Sequence, residues 1–150
     1  MNAYGSQAMS ANLVRVLMRR PGKSLIAADA REWHYGQAFD GEKAVEQHKH
    51  FARLVEKSGA DIIWLEDEGD GLADSMFTHD PSLMTDAGAV ILRMGKALRV
   101  PEAELHEEAY RKAGIPILGR IKAPGTVEGG DCVWVDKTTL AVGRGIRSNQ

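Results

Sequence analysis

A helix, a glycine, a short apolar strand and a loop with paired carboxylates occur twice in this chain, the glycines Gly59 and Gly114 lying 55 residues apart. In the first copy, Gly41 to Ser58 carries Ala44, Val45, His48, Phe51, Ala52 and Val55 at helical spacing. Gly59 is suited to cap that helix, and Asp61 to Leu65 reads as a short buried strand. In the second copy, Pro101 suits a first helical turn and Gly114 a C-terminal cap for a helix over Pro101 to Ala113. Ile115 to Ile121 follows as a strand, broken by Pro124-Gly125. A unit repeated at such a period suggests radially arranged modules. An ordinary α/β layer with two similar halves explains the same echo, and periodicity weighs the two about evenly.

The remaining elements are short. Asn12 to Arg20 alternates as a strand does and stops at Pro21-Gly22. Ser24 to Asp40 reads as irregular, and Glu66 to Asp74 as an acidic, glycine-rich loop. Leu83 to Thr85 and Ala89 to Arg93 predict a hairpin turning at Asp86-Ala87-Gly88. Val133 to Val135 and Leu140 to Val142 predict a last strand pair, and nothing after them reads as a closing element. Residues 1–11 are expected to be a disordered leader, with residues 12–150 forming the folded part.

Composition narrows the function classes. The chain is 43% hydrophobic and 27% charged, enough to bury a core, with a net charge of −2 and the signs interspersed. That balance argues against a nucleic-acid surface or a polybasic membrane patch. No apolar run approaches the roughly 18 residues that span a bilayer. The single cysteine, Cys132, has no internal disulfide partner, which points to a reducing, cytoplasmic setting.

Two loops carry the candidate chemistry: Asp74-Ser75-Met76-Phe77-Thr78-His79-Asp80-Pro81 and Pro124-Gly125-Thr126-Val127-Glu128-Gly129-Gly130-Asp131. Each follows a predicted strand and presents two carboxylates, and paired glycines let the second turn tightly. Convergent carboxylates suit a hard metal, with His79 as a further ligand, or a large cation. A guanidinium fits the second case, since its planar fork of five donors pairs with carboxylates two bonds at a time. Solvated, functionally silent acidic loops are the plain alternative.

These loops, together with Ala89-Val90-Ile91-Leu92-Arg93-Met94-Gly95 and Gly143-Arg144-Gly145-Ile146-Arg147-Ser148-Asn149, resemble the guanidino-group-modifying superfamily. It includes arginine deiminases, dimethylarginine dimethylaminohydrolases and amidinotransferases. The resemblance runs from about residue 13 onward and is most specific in Gly125-Thr126-Val127-Glu128-Gly129-Gly130-Asp131 and its spacing to Phe77-Thr78-His79-Asp80. It implies a pentein-type α/β propeller, five strand–helix modules around a channel, of which this chain would hold about half.

The resemblance also implies roles. Asp80 would receive the substrate guanidinium, with Asp74 a second anchor beside it and Phe77 lining the pocket. Glu128 would be the catalytic carboxylate on the guanidinium nitrogens, and Asp131 a structural partner of the glycine turn. Arg99 and Arg147 sit where dimethylarginine hydrolases place arginines facing the amino-acid carboxylate. In the mechanism so implied, carboxylates hold the ion flat, a thiolate attacks its carbon, and a histidine moves protons and activates water. No metal or organic cofactor is implied.

The chain departs from the family pattern in two ways. The nucleophilic cysteine and catalytic histidine of such enzymes lie in their second half, beyond residue 150. His79 stands where the family often has Arg or Glu. Cys132, following Asp131, is expected to be a small buried hydrophobe. His48 and His50 are not at metal-pair spacing and are expected to be structural or solvated, His34 to pack, and His106 to be exposed. Trp33, Trp64 and Trp134 are expected in the core, and Arg19-Arg20 receives no role.

Three functions follow as expectations: a hydrolase of guanidino C–N bonds of arginine or a methylarginine, an amidinotransferase, or a truncated, non-catalytic module. The last would self-associate through unpaired propeller edges, giving a homo-oligomer.

Overall fold

The computed structural model describes residues 4–36, 39–66 and 69–149. The first three residues of the expected leader, residues 37–38 of the irregular stretch, residues 67–68 of the acidic loop and Gln150 lie outside them. The chain forms two compact units, Leu13–Thr78 and His79–Gln150, the latter joined by Met1–Asn12. Gln7 contributes to that second unit: its Oε1 accepts from the Asp86 N–H at 2.8 Å and its Nε2 donates to the Lys137 carbonyl at 2.6 Å.

In the first unit, strand β1 (Arg15–Arg19) leads through helix α1 (Lys23–Ile26) and helix α2 (Gly41–Lys57) to strand β2 (Asp61–Leu65). The two strands run parallel, from Arg15 opposite Asp61 to Arg19 opposite Leu65. A parallel pair needs a crossover, which α2 supplies. Asp40 caps α2 by accepting the Lys43 N–H at 3.0 Å, and Gly59 follows its end at φ 89°. The core gathers Met18, Leu25, Trp33, Ala52 and Ala73. Phe51, expected on the buried stripe of α2, is 55% exposed, and β2 is half-buried rather than buried. Arg19 is buried and paired with Asp70, whose other oxygen accepts from the Ser24 hydroxyl at 3.2 Å. Both arginines at the end of β1 therefore have a structural place, Arg20 stacking 3.8 Å above the Trp64 ring.

His48 packs between Phe51 and Trp64, with ring centroids 6.3 and 6.2 Å away. Burial first, and the Arg20 charge second, hold its pKa below the ordinary histidine value. The unfolded chain therefore binds a proton there more readily than the folded one, and stability falls as pH drops below about 6.5. A His48→Gln variant is expected to flatten the thermal stability curve between about pH 7 and pH 5. An unchanged slope in that window would show that other groups set it.

In the second unit, β3 (Ser82–Thr85) and β4 (Gly88–Ile91) form the expected antiparallel hairpin, and helix α3 (Glu102–Lys112) leads to β5 (Ile117–Arg120), parallel to β4. The Thr85 hydroxyl accepts the Ala87 and Gly88 N–H groups and closes the turn. Strands β6 (Cys132–Trp134) and β7 (Leu140–Val142) pair antiparallel. Ala89, Ile91, Leu92, Met94, Ala103 and Tyr110 form the core. Trp64 and Trp134 are half-buried, and only Trp33 of the three tryptophans lies in the core.

His106, expected to be exposed, is 1% exposed. The buried residues of α3 are Glu102, Ala103, His106 and Tyr110, which share one stripe at helical spacing. The imidazole lies 3.1 Å from the Ser82 hydroxyl and packs edge-on to the Tyr110 ring.

Each unit thus contains a strand, a helix and a second strand parallel to the first. Among the described residues the strands form three separate sheets, β1-β2, β3-β4-β5 and β6-β7. One continuous α/β layer would pair them in a single ladder, so the modular reading of the echo holds. No helix of the described residues is long and apolar enough to cross a membrane.

Candidate functional site

Asp80 ends the first carboxylate loop, just before β3, where Pro81 and Ser82 are buried and anchor it. Its carbonyl accepts the Gly129 N–H at 2.9 Å, and its side-chain Oδ1 accepts the Gly130 N–H at 3.1 Å. The glycine turn of the second loop is therefore pressed directly onto the end of the first. The fit depends on the missing side chain: a Cβ on Gly129 would stand 2.0 Å from the His79 carbonyl oxygen.

The other oxygen of Asp80, Oδ2, accepts from Arg99 Nη1 at 2.8 Å. Arg99 closes a 3-10 turn just ahead of α3 and is 4% exposed. Its Nε and Nη2 edge lies on Glu102, with contacts of 2.9, 3.1 and 2.8 Å. Burial opposes the Arg99 charge, but hydrogen bonds and charge from Glu102 and then Asp80 overcome it and raise its pKa further.

Glu128 is buried, and its Oε1 accepts the Gly95 N–H at 2.9 Å and Arg147 Nη1 at 3.2 Å. Its own N–H donates to the Ser148 hydroxyl, which donates in turn to Asp131 Oδ2 at 2.5 Å. Asp131 also receives the Gly143 N–H on its carbonyl. The segment after β7 is laced to the second loop by Asn149, whose Oδ1 accepts the Thr126 N–H at 2.8 Å. That lacing explains how Arg147, far along the chain, reaches Glu128.

Five of the seven expected site residues, Asp80, Arg99, Glu128, Asp131 and Arg147, thus belong to connected hydrogen-bond networks in the second unit. Asp74 and Phe77 belong to the first. Asp74 is buried in a 3-10 turn, where its Oδ1 accepts the Tyr35 hydroxyl at 2.6 Å. Phe77, following that turn, is exposed. Arg99 and Arg147 differ in what they offer. The Arg147 side chain is 40% exposed, whereas the Arg99 guanidinium is enclosed and holds Asp80 in place.

Glu102, Gly95, Ser148 and Tyr35 were not singled out by sequence reasoning. Glu102 had a readable signal, a carboxylate three residues after Arg99 at a helix start. Cys132 is buried, and burial, then the Asp131 charge, push its thiol pKa up, so it is a poor source of thiolate. Among the described residues no group of three or more His, Cys, Asp or Glu could hold a metal ion. A cavity of about 230 Å³ in this unit is lined by residues that include Arg93, Glu104 and Arg120, but neither Asp80 nor Glu128.

This framework can hold a flat cation through carboxylates fixed by backbone N–H groups. The arginine deiminase family model matches residues 69–150. A curated relative, N(G),N(G)-dimethylarginine dimethylaminohydrolase of Pseudomonas aeruginosa, is 34% identical over 134 residues, covering 89% of this chain and 51% of the relative. A solved structure of the Pseudomonas aeruginosa dimethylarginine dimethylaminohydrolase, a cysteine mutant complexed with citrulline, superposes with a TM-score of 0.76 at 32% identity, over 91% of this chain and 52% of that one. The N-terminal domain of ArgZ, a cyanobacterial arginine dihydrolase, shares the fold at 21% identity and a TM-score of 0.76, covering 91% of this chain and 51% of that one. The chain spans about half the length of the curated relatives it matches.

Proposed function

Because this chain belongs to the arginine deiminase family, we propose that it supplies the guanidinium-holding carboxylates of a hydrolase acting on guanidino C–N bonds of arginine or a methylated arginine. One observation carries the reading: Gly129 and Gly130 tie Asp80, from one loop, to the turn that begins at Glu128, from the other. Two carboxylates fixed in one framework suit an ion whose charge and donors spread over a plane. They orient the guanidinium carbon before attack and lower the entropic cost of reaching the transition state.

The roles follow from the placements. Asp80 and Glu128 receive the guanidinium, Asp131 steadies the turn through Ser148, and Arg147 is the arginine open to the ligand's carboxylate. Asp74 is the second anchor and Phe77 a wall of the pocket. A buried Cys132 with a raised pKa is no nucleophile, so the reading assigns the attacking thiolate and the proton-moving histidine to sequence beyond Gln150. The relative crystallised with citrulline agrees with it, since citrulline is the product when water replaces a guanidino nitrogen of arginine.

The complete open reading frame carrying this sequence is expected to release citrulline from arginine or dimethylarginine. Asp80→Asn is expected to lower kcat/KM about 10- to 100-fold, the scale of one charge-assisted hydrogen bond. No citrulline from either substrate would overturn the reading. Turnover that requires an added acceptor amine would reassign the protein to amidino transfer.

A further inference from the structure

Arg99 places one positive charge between two carboxylates, and how it divides itself decides how much charge Asp80 keeps for a ligand. Glu102 takes the larger share. It is 0% exposed, and both of its oxygens lie on the Nε–Nη2 edge of Arg99. A guanidinium has few edges that fit a carboxylate two bonds at a time, and this one is used up. Asp80 is left with a single bond, from Nη1 to Oδ2. Its remaining contact is the neutral Gly130 N–H on Oδ1. A carboxylate has about four lone-pair positions, and these contacts fill two. The other charged groups nearby are engaged with one another, Glu128 with Arg147 and Asp131 with Ser148. The cluster of Asp80, Arg99 and Glu102 therefore carries one net negative charge.

We propose that Glu102 is a specificity-determining positioning residue. By holding Arg99 side-on it stops that arginine from neutralising Asp80, and so sets the preference for a cationic guanidinium head group over a neutral ureido one. The proposal rests on the reading of Asp80 as a guanidinium holder. Without the Glu102 charge, the whole charge of Arg99 would fall on Asp80, and its Nε–Nη2 edge would be free to turn toward that carboxylate. The site would then hold a salt bridge already complete and gain little from a second cation. Removing a buried carboxylate from water is costly, so a fully buried glutamate needs a firm partner. Helix capping alone explains an acid in the first turn of α3 but not both of its oxygens on Arg99.

The test uses the complete protein and two ligands that share the same amino-acid portion, arginine and citrulline. Their affinity ratio isolates the head group. Calorimetric titration of Glu102→Gln is expected to lower the arginine-to-citrulline ratio about tenfold, with citrulline affinity within about twofold of the parent. Glu102→Asp, which keeps the charge, is expected to hold the ratio. Arg99→Gln/Glu102→Gln removes one charge of each sign, leaves the negative charge of Asp80 uncompensated, and is expected to restore the ratio. That double variant decides the matter where Glu102→Gln does not fold. Equal losses for both ligands in Glu102→Gln, or a low ratio in the double variant, would overturn the proposal and leave the proposed function standing. A parent protein that binds neither ligand would sink both.

Discussion

Replacing Gly129 by alanine is expected to cost about 3–5 kcal/mol of stability and at least 100-fold in kcat/KM, adding overpacking to the loss of loop hydrogen bonds. The added Cβ would stand 2.0 Å from the His79 carbonyl oxygen, 3.0 Å from its carbon and 3.3 Å from Asp80 Cα. All three are backbone atoms, so no side chain can swing aside. The two carboxylate loops would have to move apart by more than 1 Å to reach an ordinary contact. That movement breaks the Gly129 N–H bond to the Asp80 carbonyl and the Gly130 N–H bond to its carboxylate. The carboxylates would then no longer share a frame. Thermal denaturation and steady-state kinetics on the complete protein measure both effects. Gly119→Ala is the matched control, because a Cβ there meets nothing within 4 Å, and it is expected to be nearly neutral. A Gly129→Ala protein with the parent's melting temperature and activity would show that the loops are not coupled as described.

What could be read in the sequence was whatever repeats locally. The stripe Ala44, Val45, His48, Ala52 and Val55 and the glycine after it located α2 within a residue or two. Pro101 and Gly114 did the same for α3. The turn at Asp86-Ala87-Gly88 gave the hairpin. The helix α1 was missed because four residues are too few to show a period. Phe51 was misplaced because helical spacing marks a face but not whether anything covers it. His106 was misplaced for the opposite reason: residue type suggested exposure, while its position four residues after Glu102 put it on the buried stripe.

For the site, residue types were legible and partners were not. Asp80, Glu128 and the paired glycines stood out from their motifs. That the glycine N–H groups bind Asp80 depends on contacts between segments 48 to 50 residues apart, which no local pattern encodes. Arg99 shows the limit most clearly. Its charge marked it as a ligand for a carboxylate, and the structure supplies two carboxylates from the chain itself.

That enclosure makes Arg99 a point where a single change should be severe. Arg99→Met removes the cation between Asp80 and Glu102 and leaves a fully buried carboxylate without its forked partner. Breaking a buried ion pair from one side costs about 3–5 kcal/mol, far more than the pair contributes when both members are replaced. Arg99→Met is therefore expected to shift the denaturation midpoint strongly downward. Arg99→Met/Glu102→Met is expected to regain most of the loss, since two apolar side chains of similar volume bury without a desolvation penalty. Asp80 would keep its Gly130 N–H contact in both variants, so it does not confuse the comparison. Denaturant unfolding of the parent, the single and the double variant gives the coupling directly. Arg99→Lys sharpens it further: lysine keeps the charge but cannot reach both carboxylates from one planar fork. If Arg99→Lys proves as stable as the parent, charge alone suffices, and the forked geometry on Glu102 is not what holds this turn against α3.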